Sequence, residues 1–369
     1  MFSPQTVGRS LWRAPVVSRQ LRRGIVTEAD VNSARKYCEK QLQHGDYDAY
    51  LIRRFLPPAA RDVYDAIRTL NLELARLPET VSTPTIGRFR IQFWRDTIDK
   101  TFAGNPPREP ISILLHNAIT AIKAREGGSA SSLKFWILRL VNTREKHMED
   151  QPFPSLAALE EYGENTYATL MYMTLASMSV RSMDWDHLAS HVGKACGIVA
   201  ILRGIPVLAA PSKPIQGPSG ASLGNTKAPA LLLPLDVMAE SGVREEDVFR
   251  HGPDAEGLQD AVFKVATRAN DHLITAREML GNLKAGKSLG HDFEHEGEIG
   301  HVYPEEASTG VSSRSEQALR DRAFGVLLEG IPAGDYLARL EKANFDPFRV
   351  KSSWNLPWQL WQASSRQKI

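Results

Sequence analysis

The chain has 369 residues, 42% hydrophobic and 24% charged, enough for one large or two modest domains with a sizeable buried core. Its 45 Lys and Arg against 43 Asp and Glu leave a net charge of +2, which gives no bulk reason to expect nucleic-acid binding. The only cysteines, Cys38 and Cys196, fall in separate helical patterns, with no disulfide framework and no zinc-ligand spacing, and both read as buried core residues.

The first 27 residues contain Arg9, Arg13, Arg19, Arg22 and Arg23, interspersed Ser and Thr, and no acid before Glu28. That composition reads as a mitochondrial transit peptide, because positive charge is drawn to anionic membranes and along an inside-negative potential. Arg13 and Arg19 interrupt the apolar run that a secretory signal would need. No later stretch approaches the ~18–20 consecutive apolar residues of a membrane span, so any membrane contact is expected to be peripheral.

Helical periodicity governs the chain from Glu28 onward. A helix is expected over 28–43, then a polar-aromatic turn at Asp46, Tyr47, Asp48 and Tyr50. Pro57 and Pro58 open a long helix whose apolar residues Val63, Ile67, Leu70 and Leu74 repeat at steps of four and three. Pro84 opens another through Phe102, and further helices are expected over 110–124, 131–147, 155–182 and 185–205, with Ser155 as an N-cap. The pattern resumes over 244–250, 255–281, 316–329 and 333–344, and period-two strands are absent. The predicted class is all-α, a single helical domain over 28–348.

Two segments break the pattern. Residues 209–229 are rich in Ala, Pro, Ser and Gly, and 284–315 carry five glycines among acids and His291, His295 and His301. Both read as flexible insertions, since no apolar frame would hold the histidines as metal ligands. The last stretch, 349–369, is an aromatic tail in which Trp354, Trp358 and Trp361 precede Arg366 and Lys368. Tryptophan beside basic residues suits a membrane interface or a protein partner, and equally docking on the chain's own helices. Pro357 argues there against one uninterrupted amphipathic helix.

Several ordered segments carry a resemblance. They are Tyr37-Cys38 with the Asp46–Asp48 turn, YDAIRTLNLE from Tyr64, TIGRFRIQFW from Thr85, EYGENTYATLMYMTL from Glu161, HVGKACGIVAILR from His191, Leu233–Val248 and YLARLEKANFDPF from Tyr336. Together they resemble the squalene/phytoene synthase superfamily, most closely its branch of mitochondrial complex I assembly factors. The resemblance implies an isoprenoid-synthase-like helical fold around a central cavity.

The enzymes of that superfamily bind magnesium through aspartates four apart on facing helices, where i and i+4 share a face. After Arg68 the matching positions are Asn71 and Ala75; after Ile201, Leu202 and Arg203 they are Gly204 and Leu208. Both metal-binding faces are missing, so a cavity without carboxylates is expected, with no metal and no cofactor. Arg68, Trp94, Tyr162 and Arg203 occupy positions that line or brace the cavity in the enzymes. Two other acidic pairs, Asp96 with Asp99 and Glu160 with Glu164, lie outside the motif positions and read as a solvated face and as helix-start acids.

By resemblance the chain is expected to be a non-catalytic pseudoenzyme. It would serve complex I assembly on the matrix side of the mitochondrial inner membrane, with complex I subunits or other assembly factors as partners. A divergent prenyl transferase and an isoprenoid- or lipid-binding protein remain the alternatives, the latter with a lipid ligand in the cavity.

Overall fold

Thr27 starts the first helix by accepting from the Asp30 amide at 3.2 Å, while Asp30 accepts the Thr27 amide at 2.9 Å, a reciprocal capping box. The computed structural model describes residues 26–81, 83–125, 130–180, 182–210, 228–287 and 313–369. Most of the transit-peptide segment and of both insertions, including His291, His295 and His301, lies outside the described residues. Among the described residues there are helices and no strands.

In chain order the helices are α1 (Glu28–Gly45), α2 (Tyr47–Ile52), α3 (Pro58–Ala75), α4 (Leu77–Thr80), α5 (Pro84–Phe102), α6 (Pro110–Lys123), α7 (Ser131–Lys146), α8 (Leu156–Gly163), α9 (Thr169–Ser177) and α10 (Met183–Leu208). They continue as α11 (Leu235–Ser241), α12 (Glu245–His251), α13 (Leu258–Lys284), α14 (Ser313–Leu327), α15 (Gly330–Lys342) and α16 (Leu356–Arg366). Pro58, Pro84 and Pro110 each stand in a first turn, where a missing N–H leaves no bond unmade. Ser155 caps α8 as expected, accepting from the Ala158 amide at 3.2 Å.

Two expectations change and one holds. The polar-aromatic turn after α1 is a short helix, α2, because the Asp46 side chain accepts the Ala49 amide at 3.2 Å and caps it. The helix expected over 155–182 is interrupted by a π-helical turn at Glu164–Ala168. The tail is not one uninterrupted helix, as Pro357 suggested: α16 begins only at Leu356, with Pro357 in its first turn and Trp354 ahead of it.

The core has two parts. One joins α1, α3, α5, α6 and α7 through residues such as Ile67, Leu70, Ile91, Leu114 and Ile137. The other surrounds α10 and α13 and includes the fully buried Trp185. By length and composition α10 is apolar enough to cross a membrane, but it runs through this second core. Glycine sets how close α10 comes to its neighbours. A Cβ on Gly193 would sit 2.3 Å from the Ala168 Cα, and one on Gly197 would sit 2.4 Å from the Gly163 Cα. Backbone against backbone cannot yield as a side chain can, so these two positions fix α10 against the π turn.

Candidate functional site

Tyr64, Arg68, Asn71 and Ala75 succeed one another at steps of four, three and four and so share one face of α3. On α10 the same logic aligns Cys196, Val199, Ala200 and Arg203. Residues of both faces, with the Asp46–Asp48 corner, Arg144 of α7 and Glu329 ahead of α15, line a cavity of about 280 Å³. That volume is at the lower edge of small-molecule sites.

The cavity is ionic. Arg68 is only 4% exposed, and its Nη2 lies 2.8 Å from Asp46 Oδ2 and 3.4 Å from Glu329 Oε2. Tyr64 donates its hydroxyl to Glu329 Oε1 at 2.6 Å, and Cys196 Sγ approaches the Glu329 carbonyl at 3.2 Å. Arg203 Nη1 donates to Asp48 Oδ2 at 2.7 Å. Arg144 donates through Nε and Nη2 to Asn71 Oδ1, at 3.1 and 2.7 Å, and through Nη1 to the Tyr162 hydroxyl. Its guanidinium also stands 5.4 Å over the Tyr162 ring. Arg68 Nε is buried and finds no hydrogen-bond partner among the described residues.

Burial and pairing pull these groups in opposite directions. Burial works against the Arg68 charge, but the facing Asp46 and Glu329 carboxylates outweigh it and hold the guanidinium above its usual range. Burial pushes Glu329 up, and Arg68 and the Tyr64 hydroxyl only partly oppose that. Tyr64 is raised well above its ordinary value, first by burial and then by the Glu329 carboxylate. Burial likewise raises the Cys196 thiol, so it is held neutral beside the cavity, and lifts the Cys38 thiol to about 12 in the other core.

Of the residues expected at the site, Arg68, Asn71, Ala75 and Arg203 line this cavity. Tyr162 and Leu208 line an adjoining cavity of about 140 Å³, which Ala75 and Arg144 share. Trp94 is a correction: it is 8% exposed and packs in the α5–α7 core, because the inward face of α5 meets α6 and α7 rather than the cavity. Gly204 does not line the cavity either. The cavity expected to lack carboxylates holds three, Asp46, Asp48 and Glu329.

Sequence reasoning missed Arg144, Glu329 and Tyr64 as site residues. Glu329 meets Tyr64 across 265 residues of chain, and no local pattern marks such a pair. For Asp46 and Asp48 a signal existed, two acids flanking a tyrosine at a helix junction.

The other acidic pairs separate. Asp99 is 60% exposed and lies 2.8 Å from Lys134, on the solvated face expected of it. Glu160 is not a simple helix-start acid. It accepts from Arg268 Nε at 2.5 Å and contacts His272 Nε2 at 2.6 Å. Burial pushes Glu160 up, but those two bonds overcome it and bring it down to about 2. Glu164 accepts from Tyr172 and from Ser190, each at 2.6 Å.

The squalene/phytoene synthase family profile matches residues 42–362. The chain belongs to this family. A rat protein named NADH dehydrogenase (ubiquinone) complex I, assembly factor 6 is 29% identical over 335 residues, covering 90% of this chain and 82% of the rat protein. The Drosophila melanogaster homolog of that factor is 34% identical over 264 residues, 69% of this chain and 70% of its own length. Among solved structures, a dehydrosqualene synthase in complex with ligand superposes with a TM-score of 0.62 at 14% identity, covering 92% of this chain and 98% of that one. Squalene synthase HpnC from Alicyclobacillus acidocaldarius gives 0.59 at 11% identity, covering 88% and 98%. The shared property at that distance is the helical fold of the family.

Proposed function

We propose that this chain is a mitochondrial assembly factor for respiratory complex I, built on the squalene/phytoene synthase fold without the condensing chemistry. The relatives that match it over most of its length are named for that assembly role. The geometric observation that carries the non-catalytic reading is Arg144 on Asn71. The oxygen standing where the family's enzymes would offer a magnesium ligand already accepts two bonds from a guanidinium. Ala75, Gly204 and Leu208 bring no oxygen from their side chains to the remaining positions. Magnesium needs several free, hard oxygen ligands. The three carboxylates that line the cavity face Arg68 or Arg203 instead, so the donor set does not fit the metal.

On this reading the partners are subunits of complex I or other assembly factors, met at the matrix side of the inner membrane. An isoprenoid carrier is less well served, because charged side chains ring the cavity where an apolar chain would need apolar walls.

Cells deprived of this chain, examined on native gels for assembled complex I, test the proposal. The expected result is loss of the assembled complex, restored when the chain is returned. Normal complex I in its absence overturns the assembly role. Calorimetric titration of the folded protein with farnesyl diphosphate, with and without magnesium, tests the other half. Magnesium-dependent tight binding would reinstate the prenyl transferase.

A further inference from the structure

Helix α16 is fixed to the body on one side and bare on the other. Leu356, Leu360 and Ala363 are buried in the same core as α10 and α13. Trp354, Trp358 and Trp361, at steps of four and three, are 91%, 60% and 52% exposed. The rings of Trp358 and Trp361 stack with centroids 4.8 Å apart. The stacked pair on α16 and Trp354 just ahead of it leave large apolar rings in water, uncovered by any of the described residues.

Beside this face runs a groove of about 710 Å³ between α15, α16 and the 351–355 connection. Among the described residues, six basic side chains and a single acid, Asp335, line it. The acid is already satisfied, accepting from Arg339 at 2.9 Å and from Gln359 at 2.8 Å. Lys342, Lys351, Arg366 and Lys368 are exposed along the groove, and Trp354 lines it too. The surface is therefore cationic and aromatic at once, on a chain whose net charge is only +2.

We propose that this α15–α16 surface docks on an anionic phospholipid bilayer, with the three indoles seated in the headgroup layer and the basic groove receiving phosphodiester headgroups. Tryptophan has an apolar body and a polar N–H, so the interface suits it better than either water or hydrocarbon. Lysine and arginine beside it are drawn to the negative surface and keep their charge at headgroup level. A lone apolar patch would fit a protein partner as readily; the excess of cations over one neutralised acid is what selects a lipid surface. This deepens the proposed placement at the inner membrane and rests on that reading for its biological setting, while the surface itself is tested on purified protein.

The experiment is flotation of the full chain with vesicles of phosphatidylcholine alone and of phosphatidylcholine with phosphatidylglycerol. Binding to the anionic vesicles is expected, weakening as salt rises. Replacing all three indoles (W354A/W358A/W361A) is expected to reduce that binding tenfold or more, and K351E/K368E to bring it down to the level seen with neutral vesicles. Every variant keeps the basic first 27 residues, so any contribution from them is common to all. Thermal melting confirms that each variant is folded, which their exposed positions favour. Failure of the unaltered chain to float with anionic vesicles overturns the proposal, as does flotation of folded variants as efficient as that of the unaltered chain. Failure of the unaltered chain to float, with complex I restored in cells when that chain is returned, would sink this surface and spare the assembly role. Flotation as expected, with normal complex I in cells lacking the chain, would do the reverse.

Discussion

The cavity and the α16 surface treat positive charge in opposite ways. In the cavity Arg68 lies against Asp46 and Glu329, and Arg203 against Asp48. On the surface six basic residues share one acid. The difference comes from water. A guanidinium 4% exposed has lost its hydration and is tolerated only with carboxylates beside it, whereas exposed lysines stay solvated and can stand in excess. Pairing in the cavity is thus a condition of folding, and excess on the surface is free to attract something else.

The strongest break of this comparison is R68A. It leaves the buried Glu329 and the partly exposed Asp46 without their cation and is expected to cost about 3–5 kcal/mol in urea unfolding. The matched change R203A removes a side chain 44% exposed and is expected to cost less than about 1 kcal/mol. Equal losses would show that burial is not what makes the Arg68 pairing necessary.

Acid titration of stability sharpens the point at Glu160. Its folded value, about 2, lies below the ordinary 4.5, so its stabilisation is complete above that ordinary range and fades as pH falls towards 2. The loss over that window is expected to be about 3 kcal/mol, and E160Q should lack it. Glu329 runs the other way. Its value is raised, so its contribution is complete below the ordinary carboxylate range and is lost as pH rises through the raised value. E329Q should remove that opposite slope. If both variants change the same limb of the profile, one of the two assignments is wrong.

The smallest effect is expected on the surface. W358A and W361A each remove a ring more than half exposed and should shift unfolding by no more than about 0.5 kcal/mol. A larger loss would mean that these indoles hold α16 in place, which the structure assigns to Leu356, Leu360 and Ala363.

Much of the architecture is legible in the residues. Prolines at 58, 84 and 110 and the cap at Ser155 mark helix starts, because helix ends obey local chemistry. That Asn71, Ala75, Gly204 and Leu208 stand where the family's enzymes carry aspartates is an expectation drawn from the resemblance, since no residue here marks those positions by itself. The place of Trp94 is not legible, because knowing which face of a helix is apolar does not say which neighbour that face meets. Pro357 is ambiguous because a proline forbids a helix interior but suits a first turn, and only the observed start of α16 distinguishes the two.

The sequence by itself determined the all-helical class and most helix boundaries. Each of these depends on residues within a few turns of one another, where backbone hydrogen bonds and side-chain spacing act. Only the tertiary structure decided that Arg144 of α7 would occupy the Asn71 oxygen, and that Glu329 would reach Tyr64 and Arg68 from the far end of the chain. It also decided that one side of α16 would be buried while its tryptophans stayed in water. These arrangements arise from how whole helices pack, and packing energy belongs to pairs of surfaces that no local stretch of sequence contains.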